Sequence, residues 1–270
     1  MDFQDIIYEK SEGIATITLN RPDRMNALSV PMLDAWLAAL QDAQHDKGVK
    51  AVIVTGAGRG FCAGLDIKEK MAGRGLVDTG ASISVADQRN ILRDTVQRIP
   101  RMADALDKPY IAALNGPAAG AGMDMAPACD LRFAADTARF GMTYVRMGLL
   151  PGDGGCFLLP RVVGLSKALE LMWTGDFIDA QEALRIGYVT KVVPAGQLMA
   201  ATREFALRLA QGPDIAIQLI RRLTYRSLNM DLDTALEVGQ MAQVIAQSTE
   251  DAVEGPLAFA EKREPRFKGR

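Results

Sequence analysis

A single histidine, His45, serves a chain of 270 residues. Any Ser-His-Asp triad would have to be built around it. It lies in Gln41-Asp42-Ala43-Gln44-His45-Asp46-Lys47, the polar end of a helical pattern, where an imidazole reads as solvated. Cysteine is scarce too. Cys62, Cys129 and Cys156 are far apart, odd in number and without CxxC or metal-ligand spacing, which excludes a disulfide framework and a thiolate metal site and points to reduced, cytosolic-type residues. No apolar run reaches the length of a membrane span. The acidic start Met1-Asp2-Phe3-Gln4-Asp5 has neither the basic opening nor the apolar core of a signal peptide, so a cytoplasmic location is expected. An excess of one charge is also missing: 31 basic against 33 acidic residues leaves −2, giving no global field for nucleic acid or an anionic membrane. An anionic ligand must be held by local basic side chains, and the groups to look to for catalysis are carboxylates and backbone dipoles.

What the chain does have is glycine in two telling places. Gly60-Phe61-Cys62-Ala63-Gly64-Leu65-Asp66 and Asn115-Gly116-Pro117-Ala118-Ala119-Gly120-Ala121-Gly122-Met123-Asp124 each follow an apolar, strand-like run. Such loops serve either as tight turns or as carriers of bare N–H groups aimed at a ligand. Two N–H donors preorganised in a dry site stabilise a carbonyl oxygen that gains charge, and losing one costs roughly 3 kcal/mol.

Around these loops the pattern is mixed. Ile6–Lys10 and Ile14–Leu19 flank the turn Ser11-Glu12-Gly13 and predict a hairpin. Ser29 then N-caps an amphipathic helix carrying Met32, Leu33, Trp36, Leu37 and Leu40 on one face. Ala51–Thr55 and Pro109–Leu114 are the strands that feed the glycine loops, and Gln88–Leu106 reads as helix. Residues 68–86, with Gly73, Gly75 and Gly80, read as a surface loop or short helix. Leu131–Ala134 and Ala138–Gly141 add strands, so that strand, strand, helix repeats and a layered α/β core follows. Beyond Ser166 the chain is mainly helical, and Pro194-Ala195-Gly196 marks a boundary between a core (1–196) and a C-terminal helical region (197–270). Trp36 and Trp173 are both expected in the core, and the methionines 123, 125, 142 and 147 read as core filler or as an apolar pocket wall.

Asn20-Arg21-Pro22-Asp23-Arg24-Met25-Asn26-Ala27-Leu28-Ser29, Gly60–Ile67, Asn115–Asp130, Gly148–Gly155 and Phe259–Phe267 occur in an order and spacing that resembles the crotonase (enoyl-CoA hydratase/isomerase) superfamily, over nearly the whole chain. The resemblance implies a spiral of ββα repeats with C-terminal helices used in trimerisation, as a homotrimer or dimer of trimers. It also implies an acyl-CoA thioester substrate and an enolate held by two N–H groups, here those of Leu65 and Ala121. Coenzyme A enters as part of the substrate, with no resident cofactor and no metal. Carried over position by position, Ala63, Asp66 and Ile67 lie along the adenine, Arg24 and Lys68 face phosphate, and Phe259 and Lys262 reach the coenzyme A of a neighbouring subunit.

The chain departs from the family at the reacting groups. Ala121 stands where glycine is usual, and its methyl adds a backbone constraint. Typical hydratases use two glutamates, and the matching positions here are Asp124 and Tyr144. A tyrosine with an ordinary pKa near roughly 10 is a poor base at neutral pH, although it donates a hydrogen bond. Asp153, in Pro151-Gly152-Asp153-Gly154-Gly155, is the leading catalytic candidate, and the dienoyl-CoA isomerase pattern has aspartates matching both Asp124 and Asp153. Two close aspartates split their pKa values into one acid and one base. Asp153 is equally suited to cap the following helix, and Asp124 to pair with Arg132. The expected activity is hydration or isomerisation of an unsaturated acyl-CoA, with Asp153, alone or with Asp124, as the proton shuttle. An acyl-CoA hydrolase and a catalytically weak CoA-binding protein are the alternatives.

Overall fold

The computed structural model describes residues 3–66 and 85–270, the side chains of 85–89 excepted. Its strands are β1 (Ile6–Ser11), β2 (Ile14–Leu19), β3 (Ala51–Gly56), β4 (Tyr110–Leu114), β5 (Ala118–Ala119), β6 (Leu131–Ala135), β7 (Arg139–Gly141), β8 (Phe177–Asp179) and β9 (Lys191–Val193). The expected hairpin β1–β2 opens a sheet ordered β1-β2-β3-β4-β6-β9, in which every pairing after the hairpin is parallel. Parallel strands need covered crossovers on both faces, which is why β3 and β4 are buried throughout and read as unbroken apolar runs. A small second sheet runs β5-β7-β8.

Helices close the faces. Ser29 caps the helix Val30–His45 by accepting the Met32 N–H at 3.2 Å. From that helix the indole of Trp36 donates to the Tyr110 hydroxyl at 2.9 Å, fixing it to the start of β4. The helix Leu198–Ala210 lies over β3, β4 and β6, with Phe205 against Phe133 at 5.5 Å between ring centres. The helix expected across Gln88–Leu106 is instead two, Val85–Asp94 and Arg98–Ala105. Pro100 lies in the first turn of the second helix, where its missing N–H costs nothing, and its ring and lack of a donor disfavour an unbroken continuation from the first. Three further helices, Asp214–Ser227, Leu232–Gln247 and Asp251–Glu261, complete the C-terminal region and leave Leu232, Met241, Val253 and Phe259 exposed. Trp173 corrects the expectation of a core residue, since it is 69% exposed. Among the described residues, no helix is long and apolar enough to cross a membrane.

The parallel register sets Thr55 of β3 beside Ala113 of β4. Both glycine loops therefore leave the carboxyl ends of neighbouring strands at one edge, the place where open α/β sheets bind ligands.

Candidate active site

The first glycine loop is strapped on two sides. Pro117 O accepts the N–H groups of Phe61 and Cys62 at 3.0 and 3.3 Å, and Cys62 O accepts that of Ala119 at 3.0 Å. On the other side Met25 O takes the Ala63 N–H at 2.9 Å, and the Leu28 N–H donates to Gly64 O at 2.8 Å. Gly64 has φ +92°, and a Cβ there would meet Ala119 O at 2.8 Å, so only glycine fits. With Gly64 O held, the next N–H, that of Leu65, is left over. It has no hydrogen-bond partner among the described residues, and neither does that of Ala121, the first residue of the helix Ala121–Met125. Helix starts leave such donors free. Leu65 and Ala121 line one cavity of ≈ 70 Å³ together with Thr143, Tyr144, Met147 and Leu149. The backbone constraint anticipated at Ala121 falls instead on Gly120, whose φ is +51°.

Among the described residues of that lining, Tyr144 is the titratable side chain. A 3-10 turn, Thr143–Met147, ended by Gly148 at φ +66°, presents it 7% exposed. Behind it lie both aspartates, Asp124 at 0% and Asp153 at 1% exposure. The Tyr144 hydroxyl donates to Asp153 Oδ2 in a very short hydrogen bond and lies 3.0 Å from Asp124 Oδ2, which also receives the Asp153 N–H at 3.3 Å. A phenol has one proton, so it satisfies one carboxylate, and the second oxygen–oxygen contact requires a proton on a carboxyl. Asp124 is the better holder. Burial, and then the charge of Asp153, push its pKa up to about 8. Burial also raises Asp153, against the lowering effect of the Tyr144 hydrogen bond. Tyr144 itself is driven well above its usual value by burial and by the two carboxylates. The raised pKa values of Asp124 and Tyr144 thus favour a proton on each, with the phenol proton directed at Asp153.

The two structural roles open to the aspartates are not the ones observed. The helix Gly155–Val163 has Gly154 at its cap position with no side-chain cap, and Arg132 donates to the carbonyls of Tyr188 and Cys129 rather than to Asp124. Among the described residues, Asp124 Oδ1 has no hydrogen-bond partner of good geometry. Among the methionines, Met147 lines the cavity, while 123, 125 and 142 are core filler. His45 is exposed on its helix, its Nδ1 2.7 Å from Gln41 O. The buried Cys62 thiol is pushed up to about 12, and burial raises exposed Cys156 as well, so neither offers a ready thiolate.

Of the positions matched to coenzyme A, Ala63 lines the cavity. Arg24 is exposed, and Asp66 is buried with its carboxylate 3.2 Å from Arg21. Ile67 and Lys68, and the segment 68–86 apart from its last two residues, lie outside the described residues. Phe259, 87% exposed, and Lys262 sit at the end of the helix Asp251–Glu261 and do not line this cavity. The family resemblance pointed to Leu65, Ala121 and the acidic residues, but singled out neither Thr143 nor Leu149.

The model of the family described as enoyl-CoA hydratase/isomerase matches residues 9–270. A short-chain-enoyl-CoA hydratase of Clostridium acetobutylicum is 37% identical over 264 residues, 97% of either chain. A 1,2-epoxyphenylacetyl-CoA isomerase of Escherichia coli is 34% identical over 98% of either chain. The crystal structure of an enoyl-CoA hydratase from Bacillus anthracis superposes with a TM-score of 0.90 at 34% identity, covering 99% of this chain and 100% of the other. With a mixed α/β sheet, two glycine loops at one sheet edge and this likeness along its whole length, the chain belongs to the enoyl-CoA hydratase/isomerase family.

Proposed function

We propose that this enzyme moves a double bond along the acyl chain of an unsaturated acyl-CoA thioester through an enolate. The Leu65 and Ala121 N–H groups receive the thioester oxygen, and Tyr144 with Asp153 acts as the proton relay. The observation that carries this reading is that, among the described residues, Tyr144 and not a carboxylate lines the cavity with both donors, while its proton is already committed to Asp153.

When an α C–H bond breaks, its electron pair moves into the Cα–C bond and the thioester oxygen becomes anionic against the two donors. The proton goes to Tyr144 Oη as the phenol proton passes to Asp153 Oδ2. Reversal at the γ-carbon returns the proton and leaves the double bond shifted. The raised pKa of Asp153 makes it a stronger base than an exposed aspartate. A neutral Asp124 beside it limits the charge the cluster carries. Hydration asks for two groups, one to activate water and one to protonate carbon, whereas a single relay facing the substrate suits a proton taken and returned by the same group.

Arg24 and the backbone at Ala63 and Asp66 hold the coenzyme A moiety, and exposed Phe259 and Lys262 serve the site of a neighbouring copy in a homotrimer. The test is a panel of 2-enoyl-, 3-enoyl- and 3,5-dienoyl-CoA thioesters, followed by product chromatography with a thiol reagent present. Conversion of 3-enoyl- or dienoyl-CoA without water addition is expected. Hydration of 2-enoyl-CoA as the main activity, or release of free coenzyme A, would replace this reading.

A further inference from the structure

We infer that Asn26 and Asn115 are positioning residues that clamp the first glycine loop and thereby aim the Leu65 N–H at the thioester oxygen. This rests on the reading of Leu65 and Ala121 as oxyanion donors. The two side chains come from different parts of the chain and converge on one carbonyl. Gly60 O accepts Asn26 Nδ2 at 2.8 Å and Asn115 Nδ2 at 3.2 Å. Each amide also holds a second carbonyl of the same turn: Asn26 donates to Ala57 O at 2.9 Å, and Asn115 to Gly58 O at 3.0 Å. Their oxygens face outward, with Asn26 Oδ1 accepting the Arg21 N–H at 2.9 Å and Asn115 Oδ1 the Gly56 N–H at 3.2 Å.

The turn so held runs directly into the residues that present Leu65. Asn26 is fully buried and has φ +54°, a left-handed conformation that asparagine tolerates better than most residues. Two residues later, Leu28 fixes Gly64 O and hence the direction of the 64–65 peptide. Asn115 opens the second loop, the one that ends at Ala121. The packing leaves no slack between them: a Cβ at Gly116 would stand 2.1 Å from Arg59 O, and one at Gly56 would stand 2.4 Å from Gly60 O. The clamp therefore locks both donor loops into one body. A shift of even about an ångström in a donor is enough to cost on the order of 100-fold in rate.

Asn115→Asp tests this, because it keeps the shape and the acceptor for Gly56 while turning the donor into an oxygen that faces two carbonyls. Asn115→Ala, which removes the side-chain donor without adding charge, is the second variant. The probe is butyryl-CoA carrying 13C at the thioester carbonyl, whose stretching frequency is read by isotope-edited infrared spectroscopy on the bound complex, beside kcat and KM for the best substrate of the thioester panel.

The wild type is expected to lower the carbonyl frequency on binding. The variants are expected to lose most of that shift, with kcat down roughly 10- to 100-fold and KM within about threefold. A purely structural role would lower the melting temperature and the active fraction while leaving the shift in folded protein unchanged, and that result overturns the clamp. Wild-type kcat and a full shift in both variants overturn it too. A wild type without any shift removes the oxyanion reading itself and the clamp with it, so the two failures are distinguishable.

Discussion

The Tyr144 hydroxyl stands between two buried carboxyls, giving its proton to Asp153 while lying 3.0 Å from Asp124. Three oxygens share two contacts, so the proton count of the cluster, rather than any one residue, sets its chemistry. Stability, pH response and the effect of substitution all follow from that count.

Stability should fall as pH rises through the neutral range because of Asp124. Its pKa goes from 3.8, the value of an unfolded aspartate, up to about 8 in the folded protein. Between those values the folded state holds a proton that the unfolded state has released, so the group's contribution is complete below pH 4 and is lost as pH climbs toward 8. Asp124→Asn, permanently neutral, removes this dependence. Urea unfolding of the two proteins at pH 5, 6 and 7 should show the variant gaining on the wild type by up to about 1.4 kcal/mol per pH unit. Parallel profiles would mean that Asp124 is ionised in the folded state.

Activity should be bell-shaped in pH. The rising limb reports ionisation of Asp153, displaced upward from the usual carboxylate range by burial, and the falling limb lies near pH 8, where Asp124 loses its proton. Tyr144→Phe keeps the ring but cuts the link between substrate and Asp153. We expect kcat to drop by roughly 10²- to 10⁴-fold with little change in KM, the span of a lost acid–base group. Stopped-flow assays across pH 5–9 on wild type and variant check both limbs. A Tyr144→Phe enzyme with wild-type kcat would transfer the role to a carboxylate.

Space behind the relay is as restricted as its protonation. A Cβ on Gly155 would stand 2.2 Å from Asp124 Oδ1, and one on Gly122 would stand 2.1 Å from Cys62 O. In Gly155→Ala the obstacle is a side chain, which can yield by displacing the carboxyl from Tyr144. In Gly122→Ala it is backbone, so the two loops must part. Overpacking of this kind costs about 1–3 kcal/mol, and Gly122→Ala should be the less stable of the two. Gly155→Ala should instead show the larger change in the pH profile. Melting curves and pH–rate profiles separate them.

Much of this was legible in the sequence, for physical reasons that differ by element. Parallel strands buried on both faces leave unbroken apolar runs, so β3 and β4 and the loops they feed could be read directly. The helix after Ser29 announced itself by its cap and its apolar face. What could not be read was which group faces the cavity. The 3-10 turn Thr143–Met147 rotates Tyr144 forward and leaves Asp153 behind it, and no periodicity encodes that rotation. Asp153 had the spacing of an N-cap, yet Gly154 takes that position and frees the carboxylate for Tyr144. Trp173 sits at an apolar helical position, but its exposure depends on neighbours that its own helix does not specify.

Ala121 supplies the last prediction. At the position where the family resemblance implies glycine, this chain has a residue with a side chain; among the described residues its N–H has no partner, and it lines the cavity. The left-handed conformation required by the loop sits one residue earlier, on Gly120 at φ +51°, so position 121 has no need of glycine. Ala121→Gly should therefore leave kcat within about threefold, because the donor does not depend on the methyl group. It should also lower stability by at most about 1 kcal/mol, the helix-propensity difference between alanine and glycine. Gly120→Ala, by contrast, forces a Cβ into a positive φ with Thr143 Oγ1 3.3 Å away, and should reduce kcat through misplacement of the same donor. Steady-state kinetics and thermal melts on the pair decide it: a large loss in Ala121→Gly together with a silent Gly120→Ala would reverse the assignment of strain between the two positions.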